Sequence, residues 1–255
     1  MLKIENTEVV GFEAAIRGMR NPMNSWDKSD SYPAVDCGKC GKIEREGVCK
    51  KEDRDCTGFE CYDIGPNDYD LMTRLRNAGT DHRKFMRMII VYLDITAPLY
   101  WWKEFDTYKV GTVANSCSTM HKIADKEFDV NDFSHEHIEE LHGDEYNMSY
   151  DWLLRTVDTL NYYRKKYNAA SEKLSRDITD AERKHVLAQQ KLFWWQMIQL
   201  LPSSYNQLRT VDLNYEVLLN QYFQRKDHKL DEWRIYCEQI KCFPYLNDFM
   251  EVLKK

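Results

Sequence analysis

The chain has 255 residues, 43% of them hydrophobic and 31% charged, and carries a net charge of −6. That balance suits one folded domain with a sizeable core and excludes a disordered or collagen-like chain. The acidic excess argues against a binder of nucleic-acid polymers, which needs clustered Lys and Arg, but a single nucleotide needs only one or two cations.

Residues 1–10, MLKIENTEVV, carry charges where a secretory leader has an apolar run. The longest apolar stretch, MIIVYLDITAPLYWW, is broken by Asp94 and Pro98, so no membrane span is expected. A cytoplasmic protein follows, with its eight cysteines reduced or metal-bound.

Residues 2–12 alternate as a first strand, and Glu13–Arg20 follow as a short helix. Asn21–Tyr32 is rich in turn formers and reads as a loop. Within an insert at 33–65, Cys37 and Cys40 form one pair and Cys56 and Cys61 a second, with Cys49 between them. Such pairing is the pattern of a structural zinc site, with plain reduced cysteines as the alternative.

Asp68–Ala78 is expected to be a helix closed by Gly79, Phe85–Ile95 a buried strand, and Ala97–Phe105 a short aromatic helix. Trp101 and Trp102 read as core or subunit contacts. Asp106–Lys122 is the least core-like stretch of the middle. Its small hydroxyl residues and flanking cations suit an anion cradle of backbone N–H groups, or turns that satisfy only themselves.

Residues 127–200 read as mostly helical, with Ser149–Lys166 and Asp180–Leu200 as an antiparallel pair. Thr179 and Glu182 form a capping box at the start of the second helix. His135 and His137 cannot share one helix face, so they and their Glu neighbours read as a solvated acidic surface.

Residues 205–212 read as a strand, and an apolar-periodic helix opens at about Asn214. At about 100° per residue, Asn214, Gln221, Arg225 and His228 share one polar stripe, with Leu219 and Phe223 opposite and facing the core. A solvated face is the ordinary reading of such a stripe. Its mixture of amide, guanidinium and imidazole points instead to a cleft. Glu232–Cys242 is expected to be a last long helix, stopped by Pro244. No Walker, dinucleotide or nucleophile-elbow motif is present.

The order LLPSSY, a helix-opening Asn214, then Arg225, His228 and Glu232 resembles the flavin-dependent thymidylate synthases. Upstream, AGTDHRKF, an apolar strand ending at Ala97-Pro98, and NSCSTMH extend the resemblance over residues 68–121. It implies an α+β fold in a single domain, a mixed or antiparallel sheet from 2–12, 85–95 and 205–212 flanked by helices. It also implies methylation of deoxyuridylate, or a related pyrimidine nucleotide, with methylene-tetrahydrofolate and FAD reduced by NADPH, in a homotetramer. Such enzymes use no nucleophilic side chain and work by positioning their ligands.

By the same resemblance, Arg225 is the catalytic contact to the pyrimidine. His228, Asn214, Asn220 and Lys109 fall on the flavin side, and Ser118 with Cys117, Thr119 and Lys122 on the nucleotide phosphate. The chain departs from the family where Tyr108, Lys109 and Val110 replace an Arg-His-Arg triplet. It departs again where Ser116 replaces a Glu and Met120 and Ile198 replace arginines. Each charge-assisted contact is worth about 1.5–3 kcal/mol, so either Lys109, Lys122 and Arg209 compensate or the ligand has changed. An enzyme, a nucleotide- or flavin-binding protein without turnover, and a zinc-stapled interaction protein all remain open. Cys117 as a nucleophile is a variant of the first, with an inert small cysteine as its alternative.

Overall fold

A computed structural model describes residues 2–33, 62–139 and 148–251. The cysteine pairs Cys37/Cys40 and Cys56/Cys61 lie outside the described residues. Among the described residues, no group of His, Cys, Asp and Glu could hold a metal ion. Nor is any described helix long and apolar enough to cross a membrane.

In chain order the elements are β1 (Lys3–Val10), α1 (Phe12–Arg20), β2 (Tyr32–Pro33), β3 (Tyr62–Asp63), α2 (Pro66–Asn77), β4 (Ile90–Pro98) and α3 (Leu99–Phe105). They continue with β5 (Thr112–Ser116), α4 (Thr119–Lys122), α5 (Glu136–Glu139), α6 (Met148–Leu174) and α7 (Asp180–Leu200). The chain closes with β6 (Asn206–Asn214), α8 (Tyr215–Arg225), α9 (Asp231–Ile240) and α10 (Leu246–Glu251). The fold is α+β: a four-stranded sheet in the order β1-β4-β6-β5, with helices around it.

Contacts divide the chain into two units, one of 96–103 and 116–208, the other of 2–95, 104–115 and 209–255. In the second, Gly11 turns β1 into α1 at φ +97, where a Cβ would lie 2.2 Å from the Met88 carbonyl oxygen. The amphipathic α1 then buries Phe12, Ala15, Ile16 and Met19. Phe12 meets Tyr215 and Tyr245 edge-on at 5.8 and 5.9 Å, the offset geometry that aromatic quadrupoles prefer.

The other unit is built on α6 and α7, which run antiparallel. Arg183 Nη1 donates to the Leu174 carbonyl at 3.1 Å, and Gln190 Nε2 donates to Ser171 Oγ at 2.7 Å. The Thr179/Glu182 capping box is present and satisfies donors that the first turn of α7 leaves open. Leu153, Leu160 and Met197 pack with Phe128 and Phe133 into this unit's core.

Three expectations change. Residues 85–88, expected to begin the strand, belong to a 3-10 segment at Arg83–Met88, and β4 runs Ile90–Pro98. Phe85, Met86 and Ile89 are buried while Lys84, Arg87 and Met88 are exposed, a pattern too short to separate turn from strand. β5 lies inside the supposed anion loop and is an edge strand with mostly exposed side chains, so it lacks an apolar signature. The helix stopped by Pro244 is not the last, for α10 follows it and buries Leu246, Phe249 and Met250. Trp101 and Trp102 are both fully buried, whereas Trp195 is 40% exposed.

Candidate functional site

β6 delivers the chain into α8 through Asn214, whose side-chain oxygen accepts from the Val217 amide at 3.1 Å as the helix N-cap. Gly111, at φ +74, makes room for that cap: a Cβ there would sit 2.6 Å from Asn214 Nδ2. Gly111→Ala is therefore expected to cost about 1–2 kcal/mol in a thermal or urea melt, through the left-handed backbone and the displaced cap. A neutral result would show that the cap moves freely.

The predicted polar stripe is not one surface. Gln221 is fully buried and accepts from the Tyr236 hydroxyl at 2.6 Å, while Phe223, expected in the core, is only half-buried. α8 ends at Arg225, so His228 lies in the following turn and not on the helix. Arg225 and His228 do meet, and the residue that joins them is Glu104 at the end of α3. Glu104 Oε2 accepts from Arg225 Nη1 at 2.8 Å and from Trp233 Nε1 at 3.0 Å, and faces His228 Nε2 at 3.3 Å.

Around this carboxylate stands an aromatic wall. Arg225 lies over the Trp233 ring at 4.8 Å and the Tyr108 ring at 5.7 Å, while its Nε donates to the Tyr108 hydroxyl at 2.9 Å. That hydroxyl donates onward to Gln224 Oε1 at 2.8 Å. Phe105 stacks on Trp233 at 6.3 Å, and Tyr236 meets Trp233 edge-on at 5.6 Å. Arg225 and His228 are thus held by the protein, with side chains 19% and 23% exposed. Asn214 stays at the helix start as a cap, and Asn220 and Lys109 project into solvent.

The sequence reading missed Glu104, Tyr108 and Trp233 as one cluster. A signal existed: Glu104 is the only acidic residue in LYWWKEF, a helix otherwise given to aromatic packing.

In the other unit, the segment 117–122 is braced from below by β6. Cys117 N donates to the Leu208 carbonyl at 3.0 Å, and Gln207 Nε2 donates to the Cys117 carbonyl and to Thr119 Oγ1, each at 3.0 Å. Ser118 Oγ accepts from the His121 amide at 3.3 Å, and Lys122 Nζ pairs with Asp125 at 2.9 Å. Cys117, Ser118 and Lys122 are exposed and Thr119 is half-buried, all within one short stretch of chain. Beside them opens a groove of about 430 Å³ whose lining includes Met120, His121, Tyr167, Lys191 and Trp194. A volume of that size falls in the range of small-molecule sites.

The fold resembles that of solved flavin-dependent thymidylate synthases. One solved structure it resembles is thymidylate synthase X from Helicobacter pylori with FAD and dUMP. The TM-score is 0.55, at 13% identity over 100% of both chains. A second, the flavin-dependent thymidylate synthase of Helicobacter pylori complexed with FAD and dUMP, gives a TM-score of 0.54 at 14% identity. It covers 99% of this chain and 97% of that one. No protein-family model and no curated protein matches the sequence.

Proposed function

We propose that this protein is a thymidylate synthase-like flavoenzyme that methylates deoxyuridylate, or a related pyrimidine nucleotide, with methylene-tetrahydrofolate as the carbon donor. The observation that carries the reading is the end-to-end likeness to two structures holding FAD and dUMP. Arg225 contacts the pyrimidine, its planar fork fixed in place by Tyr108 and Glu104 before any ligand arrives. His228, in the turn that follows α8, is the flavin-facing imidazole, and Asn214 caps the opposite end of that helix.

The residues present suit a flavin. Lys109 offers an exposed ammonium to a diphosphate, and Asn220 an exposed amide to a ring edge. Bound FAD, reduced by NADPH, supplies the electrons that turn a transferred one-carbon unit into a methyl group. Ser118, Cys117, Thr119 and Lys122 receive the nucleotide phosphate, with Lys122 exchanging its Asp125 partner for it. The working assembly is a homotetramer, in which sites draw on several copies.

A second reading, nucleotide or flavin binding without turnover, is favoured by one observation. Tyr108 and exposed Val110 stand where the resemblance expects charged groups, and Tyr108 is spent on holding Arg225. One experiment separates the two. Purified protein is saturated with FAD, its visible spectrum recorded, the flavin reduced with NADPH, and its reoxidation followed on adding deoxyuridylate and methylene-tetrahydrofolate. Flavin binding with nucleotide-dependent reoxidation and thymidylate product is expected. Thermal stabilisation by nucleotide without product would favour the binding protein. A colourless protein unmoved by either ligand would sink both.

A further inference from the structure

We propose that Glu104 is the acceptor half of a base-reading pair with Arg225, and that together they take a pyrimidine edge presenting an N–H beside a hydrogen-bond acceptor. The inference rests on the reading of Arg225 as the pyrimidine contact and adds the residue that sets what that contact accepts.

The geometry of the pair is the starting point. In an end-on guanidinium–carboxylate pair, two arms of the fork meet both carboxylate oxygens. Here Arg225 turns sideways. Its Nε goes to the Tyr108 hydroxyl and only Nη1 reaches Glu104, while Glu104 Oε2 alone takes Arg225, Trp233 and the approach of His228. Arg225 Nη2 and Glu104 Oε1 are left without a hydrogen-bond partner among the described residues. Neither side chain is sealed, for Glu104 keeps 34% exposure and Arg225 19%.

A carboxylate oxygen can only accept, and a guanidinium N–H can only donate. Two such groups on one rigid cluster match an edge with one donor and one acceptor. Uracil N3–H beside a ring carbonyl is such an edge, and the cytosine amino group beside N3 is another. A phosphate is not, because it presents acceptors alone and meets the like charge of Glu104. The nucleotide must therefore enter base first. The stacked Trp233 and the Tyr108 bond fix both groups in advance, which lowers the ordering cost of binding.

The test is calorimetric titration of the full-length protein with deoxyuridylate and deoxycytidylate, each beside its blocked form. The blocked forms are deoxyuridylate methylated at N3 and deoxycytidylate dimethylated at the amino group. The favoured nucleotide is expected to bind roughly tenfold or more tightly than its blocked form, the scale of one charge-assisted hydrogen bond. Glu104→Gln keeps an acceptor for Arg225 but must turn an amide N–H toward the ligand, so it should weaken the unblocked nucleotide to a similar degree. The pair is overturned if wild-type protein binds blocked and unblocked nucleotides equally. It is also overturned if a folded Glu104→Gln protein, checked by thermal melt, binds as wild type does. Failure of either nucleotide to bind wild-type protein strikes at the nucleotide reading itself, which keeps the two failures apart.

Discussion

Replacing Asp68 with alanine is expected to destabilise the protein by about 3–5 kcal/mol, the cost of stranding a buried charge. Asp68 is fully buried at the start of α2. One oxygen accepts from Arg20 Nε at 2.6 Å, and the other from the hydroxyls of Ser29 and Ser31 and the amides of Asp30 and Ser31. Arg20 is itself only 3% exposed, so removing the carboxylate leaves a cation with no counter-charge and several donors with no acceptor. The melting temperature should fall by something on the order of 10 °C. A loss below about 1 kcal/mol would show that water or a neighbouring group replaces the carboxylate.

The same residue gives stability a pH dependence. Burial alone would raise its pKa, but the bonds from Ser31, Ser29, Arg20 and the Asp30 amide outweigh it and hold the carboxyl below its ordinary value of 3.8. A depressed native value means that the unfolded chain takes up the proton first as pH falls. Asp68 therefore contributes in full above 3.8, and its contribution disappears as pH drops through the lower native value. Acid unfolding of Asp68→Asn should lack this component.

Trp233→Ala is expected to cost about 3–5 kcal/mol, the range for removing a fully buried large aromatic side chain. The indole fills the space between Phe105 and Tyr236, carries Arg225 on its face, and gives Glu104 its second donor. Trp233→Phe retains most of the contact area and loses the N–H, so it should cost less than half as much. If the cluster also orders the nucleotide contact, the phenylalanine variant should weaken nucleotide binding more than its small stability loss explains. Equal stability losses for Ala and Phe, measured by urea denaturation, would contradict the packing role assigned to the ring.

How far the residues alone could lead is clearest at α8. Periodicity and the Pro202 turn located the strand and the helix opening at Asn214, because both are local signals. The wheel then carried the stripe through His228, although the helix stops at Arg225. It also placed Gln221 in a cleft, although it is buried against Tyr236. An amphipathic wheel assumes one wet side, and α8 is covered almost all round. β5 stayed hidden for the converse reason, since an exposed edge strand has no apolar alternation to detect.

By itself the sequence determined what is local: β1 and α1, the capping box before α7, the helix opening at about Asn214, and the family resemblance in the order of its motifs. Only the tertiary structure decided that Glu104, Tyr108, Arg225, His228 and Trp233 form one cluster, and that one carboxylate oxygen binds it together. The physical reason is separation along the chain. Glu104 and Trp233 lie 129 residues apart, and no periodicity or spacing rule reports which distant side chains a folded core will bring within hydrogen-bonding reach.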